Sequence, residues 1–219
     1  MKSIETIQSV KNALSATRIS TYENAVITTS DSSSALKLYA WNAQVSGALL
    51  TPLHICEVVI RNAVSDALTS VYGDSWAWQE SFVRSLKNKG AYNPRQDLLK
   101  TRDNASTIGK LIPEMKFVFW QKMFISSHDN RLWNRHLMTT FPNLDSTKSI
   151  AQLRTDIYNE LEEIRTLRNR IAHHEPIFTR NLENDFQKII TLVRFRCNST
   201  ADWLLVNQQA LVLIRAKPG

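Results

Sequence analysis

The chain has 219 residues, 43% of them hydrophobic, enough to bury a substantial core as one domain or as one domain with a small appendage. Five glycines and six prolines are too few for a turn-rich all-β fold and suit long helices. A formal net charge of +7 and a pI near 9.5 point to an anionic partner, with nucleic acid ahead of membrane lipid.

The N-terminal stretch predicts a short amphipathic helix over residues 3–16, with Ile4, Ile7, Val10 and Leu14 on one side. It carries Glu5 and no continuous apolar run, so it does not read as a signal peptide. A Ser- and Thr-rich connection follows and ends at Asp31–Ser34, residues suited to capping a helix. That helix is expected from Ser34 to Leu49, to stop at Thr51-Pro52, and to restart as Pro52–Val71 with Pro at its first position. The second piece buries Leu53, Cys56, Ile60, Ala63, Val64, Ala67 and Val71, and sets Glu57 and Arg61 four apart, able to pair, beside Asn62. No apolar run reaches about 18 residues, so no membrane span is expected.

Residues 72–106 read as the least ordered part. A flexible basic loop over about 86–106 contains Lys87, Lys89, Arg95, Lys100 and Arg102, with Tyr92 among them. Such a loop can be merely solvated, or can hold a nucleic-acid backbone and stack a base. Helical pattern returns at 107–123 and 130–140, where Phe117, Phe119, Trp120, Phe124 and Trp133 read as core and His128 and His136 as incidental. Helices are then expected over about 148–174 and 182–193. A last one is expected after Ser199, with Asp202 at the capping-box position and Trp203–Ile214 beyond. With no repeat and no linker, residues 1–219 read as a single all-α helical bundle.

The helix over 148–174 carries the chemistry. Ile150, Leu153, Ile157, Leu161, Ile164 and Ile171 form its apolar stripe, and stepping on from Ile164 lands on Arg168. A guanidinium on a buried or interface-facing stripe needs a partner or an anionic client. Asn169, Arg170, His173, His174 and Glu175 follow, and Pro176 stops the helix. At about 100° per residue Asn169 shares a face with His173 and Arg170 with His174, whereas Arg168 and His173 lie about 140° apart. Arg168 and His173 can therefore meet only if the helix breaks near Ala172, or across a two-fold dimer.

Arginine and histidine so combined suit RNA cleavage without a metal. One imidazole takes the proton of a ribose 2′-OH, another protonates the leaving oxygen, and arginine holds the phosphate. The bland reading is a helix C-terminus carrying cations because they suit that end of the dipole. No zinc motif, P-loop, dinucleotide fingerprint or nucleophile elbow is present, so no metal and no cofactor is expected. Cys56 and Cys197 form no disulfide framework, and the sequons at Asn104 and Asn198 read as coincidental.

Arg168-Asn169-Arg170-Ile171-Ala172-His173 resembles the R-x4-6-H signature of the HEPN superfamily, and RNRIAHHEPIF resembles its Abi-like (abortive infection, AbiD/AbiF-type) branch. LYAWNAQVSGAL, EVVIRN at Glu57–Asn62, GKLIPEMKFVFWQKMF, LWNRHL and FPN fit the same branch. The resemblance implies a HEPN-like bundle with additional helices, a symmetric homodimer and a metal-independent endoribonuclease of a bacterial antiphage or toxin system; a cytoplasmic location is the default expectation from the lack of a signal-peptide or membrane-span pattern. Arg168 and His173 would then be the catalytic pair with Asn169 as polar support. Arg170, His174, Glu57, Arg61 and Asn62 would be supporting or substrate-binding. RNA and an antitoxin, protein or RNA, are the implied partners. Toxins of this kind silenced by nucleotidylation carry a tyrosine two residues after the histidine, where this chain has Glu175. The competing expectations are a non-catalytic RNA- or protein-binding regulatory module and, last, a metal-dependent hydrolase.

Overall fold

The longest element, α3 (Ser34–Tyr72), is the axis of the molecule. In this computed structural model, which describes residues 4–26 and 33–218, it runs unbroken through Pro52 instead of stopping and restarting. Pro52 has no N–H to give the Ala48 carbonyl, yet the buried stripe continues across it from Leu49 to Leu53 and Cys56. Burying large aliphatic side chains of this kind contributes about 1.5–3 kcal/mol each, which offsets one missing hydrogen bond. Asp31 and Ser32, expected to help cap this helix, lie outside the described residues.

Two short helices precede it, α1 (Ile4–Leu14) and α2 (Ala16–Ala25), divided at Ser15, whose backbone takes φ 71°. The sequence reading made α2 a polar connection. It is a helix because Ile19 and Tyr22, three apart, are both buried and the element packs on α3. The segment expected to be loose is partly helical, with a single turn at Trp76–Trp78, α4 (Glu80–Ser85) and α5 (Pro94–Arg102), while residues 86–93 and 103–106 are irregular. Asn93 caps α5 by accepting from the Gln96 N–H, with Pro94 in the first turn.

The next expected helix is divided into α6 (Ile108–Glu114) and α7 (Phe117–Lys122), and α8 (Asn134–Thr140) follows a π turn at Asp129–Trp133. Phe117, Phe119, Trp120, Phe124 and Trp133 are all buried, as expected of core residues. Phe124 and Trp133 stack with centroids 4.6 Å apart. The C-terminal third consists of α9 (Ile150–Ala172), α10 (Leu182–Arg196), α11 (Asn198–Val206) and α12 (Ala210–Arg215). The last expected helix is thus two, and α11 starts directly after Cys197, ahead of Ser199.

Among the described residues every regular element is a helix, and one contiguous buried cluster runs from Tyr22 to Ile214. α2, α7, α8, α9, α10 and α12 all pack on α3, with α10 in the most extensive contact. An 18-residue window of α3 is apolar and long enough by composition to cross a membrane, which run-counting in the sequence did not register. Here α3 is the helix against which the bundle is built.

Candidate site at the C-terminal end of α9

α9 starts where Ser149 accepts a hydrogen bond from the Gln152 N–H. Its buried stripe is Leu153, Ile157, Leu161, Ile164, Leu167 and Ile171. From Ile164 the stripe takes a three-residue step to Leu167, fully buried, and not the four-residue step to Arg168. This corrects the sequence reading: Arg168 is exposed and carries no buried charge.

The other arginines of α9 are fastened. Arg154 makes a two-pronged contact with Asp129, at 2.8 and 3.3 Å, and also donates to the Phe124 carbonyl. Arg165 binds Glu162 and fully buried Gln121, and Gln121 donates to Glu162. Burial raises the Glu162 pKa, and the hydrogen bonds from Gln121 and Arg165 more than reverse this, leaving it below the ordinary value. Arg170 donates to the Pro176 carbonyl at 2.7 Å and lies 3.6 Å from Glu175. Of the cations on α9, Arg168 alone has no ion pair or side-chain hydrogen bond among the described residues.

The helix ends at Ala172 with His173 as its C-cap, but that end does not swing His173 toward Arg168. The His173 N–H still donates to the Asn169 carbonyl at 2.9 Å, and the chain turns only at His174, with φ 56°. The His174 N–H donates to Ile171 O and the Glu175 N–H to Arg170 O, the paired bonds of a Schellman cap. Glycine normally fills the left-handed position, so His174 adopts it at an expense of about 1–2 kcal/mol. Tertiary bonds hold it: Arg18 donates to the His174 carbonyl at 2.7 Å, and the Ile177 N–H donates to the Asn42 side chain at 2.8 Å. Helical geometry through residue 172 keeps Arg168 and His173 about 140° apart around the axis. Within one chain they are not brought together.

Asn169 is half-buried on the His173 side, and both His173 and His174 are exposed. A cavity of about 340 Å³ opens beside His174, lined also by Tyr22, Tyr39, Asn42, Ser46, Gly47 and Ile171. Asn42 has a signal in the sequence, an amide on the core stripe between Trp41 and Val45. Arg18 has none, since it falls in the stretch read as a connection. Arg170, expected to support or bind substrate, is used in holding the cap. Glu57 and Arg61 are half-buried and form no ion pair with each other, while Asn62 is exposed. The Arg61 Nε is buried without a hydrogen-bond partner among the described residues. No hydrogen bond or ion pair links these three to Arg168 or His173.

The remaining candidates resolve simply. Burial pushes the Cys56 thiol up to about 12, consistent with a packed, unreactive group. His128 is buried, and desolvation, with Arg131 nearby, lowers its pKa to about 4, so it is neutral at pH 7. Among the described residues no group of three His, Cys, Asp or Glu gathers as a metal-ligand set. Comparison with family models, curated proteins and solved structures gives no match for this chain.

Proposed function

We propose that the chain is a metal-independent endoribonuclease of HEPN type, acting as a homodimer in the cytoplasm of a bacterium as part of an antiphage or toxin system. The observation that carries this reading is Arg168, an exposed guanidinium with no internal partner, on a helix whose other arginines are all pinned. It stands five residues before His173, in the R-x4-H string that resembles the superfamily. Two copies related by a two-fold axis bring Arg168 of one to His173 of the other. No cofactor is required, and an antitoxin, protein or RNA, is the controlling partner.

In this mechanism Arg168 grips the scissile phosphate through two N–H groups and offsets the charge growing on it. One His173 imidazole accepts the proton of the 2′-OH as that oxygen attacks phosphorus. The bond to the 5′-oxygen breaks, and the same imidazole, now protonated, passes that proton to it. The products are a 2′,3′-cyclic phosphate and a 5′-hydroxyl. Asn169 shares the His173 face and is a positioning residue. His173 is the acting histidine in preference to His174, whose backbone is used for the cap.

Purified protein incubated with RNA in excess EDTA tests this. Fragments ending in cyclic phosphate are expected, with His173→Ala slowed about 10²–10⁴-fold. Unchanged cleavage by Arg168→Ala and His173→Ala rejects the assignment. The separation of Arg168 and His173 on one helix favours a second reading, a non-catalytic RNA- or protein-binding module. It predicts binding with no products, weakened in Arg168→Ala.

A further inference from the structure

The chain's positive charge is not spread evenly. Residues 84–135 hold eleven Lys and Arg against four Asp and Glu, an excess of seven that equals the formal net charge of the whole chain. Elsewhere the signs balance, sixteen against sixteen. Six cations of the segment, Lys87, Lys89, Lys100, Lys110, Arg131 and Arg135, are exposed and make no ion pair or side-chain hydrogen bond among the described residues. Arg95 and Arg102 are held by backbone carbonyls, so their charge is not neutralised either. Two of the four acids are spoken for: Asp97 accepts from Tyr92 and pairs with Lys116, and Asp129 pairs with Arg154. Asp103 and Glu114 alone remain open.

Four of the free cations fall into two groups. Lys87 and Arg131 both act on buried His128. Lys100 and Lys110 line a cavity of about 580 Å³ with Lys116, Asn104 and Thr101, and with Glu114 and the Lys116-paired Asp97 on its wall. α5, nine residues and so roughly 13 Å long, joins the two groups. Its first turn is bound through Arg95 to the Arg84 and Leu86 carbonyls beside Lys87.

We infer that this surface, resting on the RNA reading above, is a docking track for the sugar–phosphate backbone of single-stranded RNA, separate from the Arg168–His173 centre. Phosphates are its client because the segment exposes no large apolar side chain. The large exposed hydrophobics, Ile4, Leu50, Trp203, Val206 and Val212, all lie outside 84–135, so neither membrane insertion nor an anchored protein interface is served. Tyr92 does not stack bases, since it is half-buried with its hydroxyl on Asp97. Sequence-independent backbone contacts remain. Arg131 follows by two residues the Asp129 that is fastened to Arg154, and Arg154 is fourteen residues, roughly 21 Å, from Arg168 along α9. At about 3.4 Å per stacked nucleotide, a strand reaching both places is at least about six nucleotides long.

Fluorescence anisotropy with labelled single-stranded RNAs of 4, 8 and 16 nucleotides tests this, using the parent chain, Lys87→Glu/Arg131→Glu, its glutamine counterpart and Arg215→Glu as an outside control (lengths of about these values follow from the 3.4 Å spacing). Affinity should rise sharply between the 4-mer and the 8-mer and fall at least tenfold in the charge-reversed pair. The slope of log affinity against log salt should drop by about 1–2, and Arg215→Glu should bind as the parent does. Single-stranded DNA of equal length should compete and remain uncut. Binding lost in the pair while the parent cuts nothing keeps this surface and removes the nuclease. Cleavage by the parent with binding unchanged in the pair does the reverse. Preference for phosphatidylserine vesicles or polyglutamate over RNA, or no RNA binding at all, overturns the inference.

Discussion

The end of α9 and the segment 84–135 are both rich in cations, and they use them in opposite ways. At the end of α9 the scaffold is tightly tied: Arg170 to Pro176, Arg18 to His174, Asn42 to Ile177, with one arginine left free. In 84–135 six cations make no ion pair or side-chain hydrogen bond among the described residues. Chemistry at a phosphate needs its charge presented from a fixed backbone, whereas holding a polyanion needs number and spacing. On the proposed reading the difference gives reaction to one region and retention to the other.

The comparison breaks most visibly at neighbouring positions of α9. Arg168→Ala should lower RNA cleavage about 10²–10³-fold, the loss typical of one transition-state donor, and leave the melting temperature unchanged. Arg170→Ala, two residues on, should do the converse, weakening the fold by about 1–2 kcal/mol through the lost bond to Pro176 while sparing most of the rate. Calorimetry with initial rates separates them, and equal rate losses would show that both arginines touch substrate. Leu167→Ala should destabilise by about 2–5 kcal/mol, because Leu167 and not Arg168 fills the stripe. A mild effect there would restore the rejected register.

His128 sharpens the contrast from the side of 84–135. Its folded pKa of about 4 lies below the ordinary 6.5, so the unfolded chain binds its proton first as the solution is acidified. The contribution is whole above pH 6.5 and is lost as pH falls toward 4, on the order of 3 kcal/mol in all. Denaturant titrations across that window should show the loss, and His128→Gln should flatten it. Smallest is His174→Gly, expected to raise stability by up to about 1 kcal/mol by relieving the left-handed backbone, with cleavage retained. Cleavage abolished in that variant would move the catalytic role from His173 to His174.

Much of the architecture was legible because burial leaves a periodic record. α9 falls within the expected 148–174, and the aromatic set of 117–133 is core as read. The errors share a cause. A step of three from Ile164 rotates about 60° one way and a step of four about 40° the other, so periodicity admits both Leu167 and Arg168. Only the preference of the apolar residue for the core decides. α2 and the passage through Pro52 are tertiary outcomes: Ile19 and Tyr22 gain from packing on α3, and the continuous stripe outweighs what the proline lacks. Glu57 and Arg61 have pairing spacing, yet spacing does not make the bond. The capping roles of Arg18 and Asn42 depend on contacts 156 and 135 residues away, which no local pattern records.

The central claim is that Arg168 and His173 act on one phosphate from two copies of the chain. Mixing Arg168→Ala with His173→Ala protein after subunit exchange tests it directly. A heterodimer then holds one intact arginine–histidine pair, so the mixture should recover about a quarter of parental cleavage while each variant alone stays inactive. A mixture that forms heterodimers and remains inactive, or a parent chain that cuts RNA as a monomer, would contradict it.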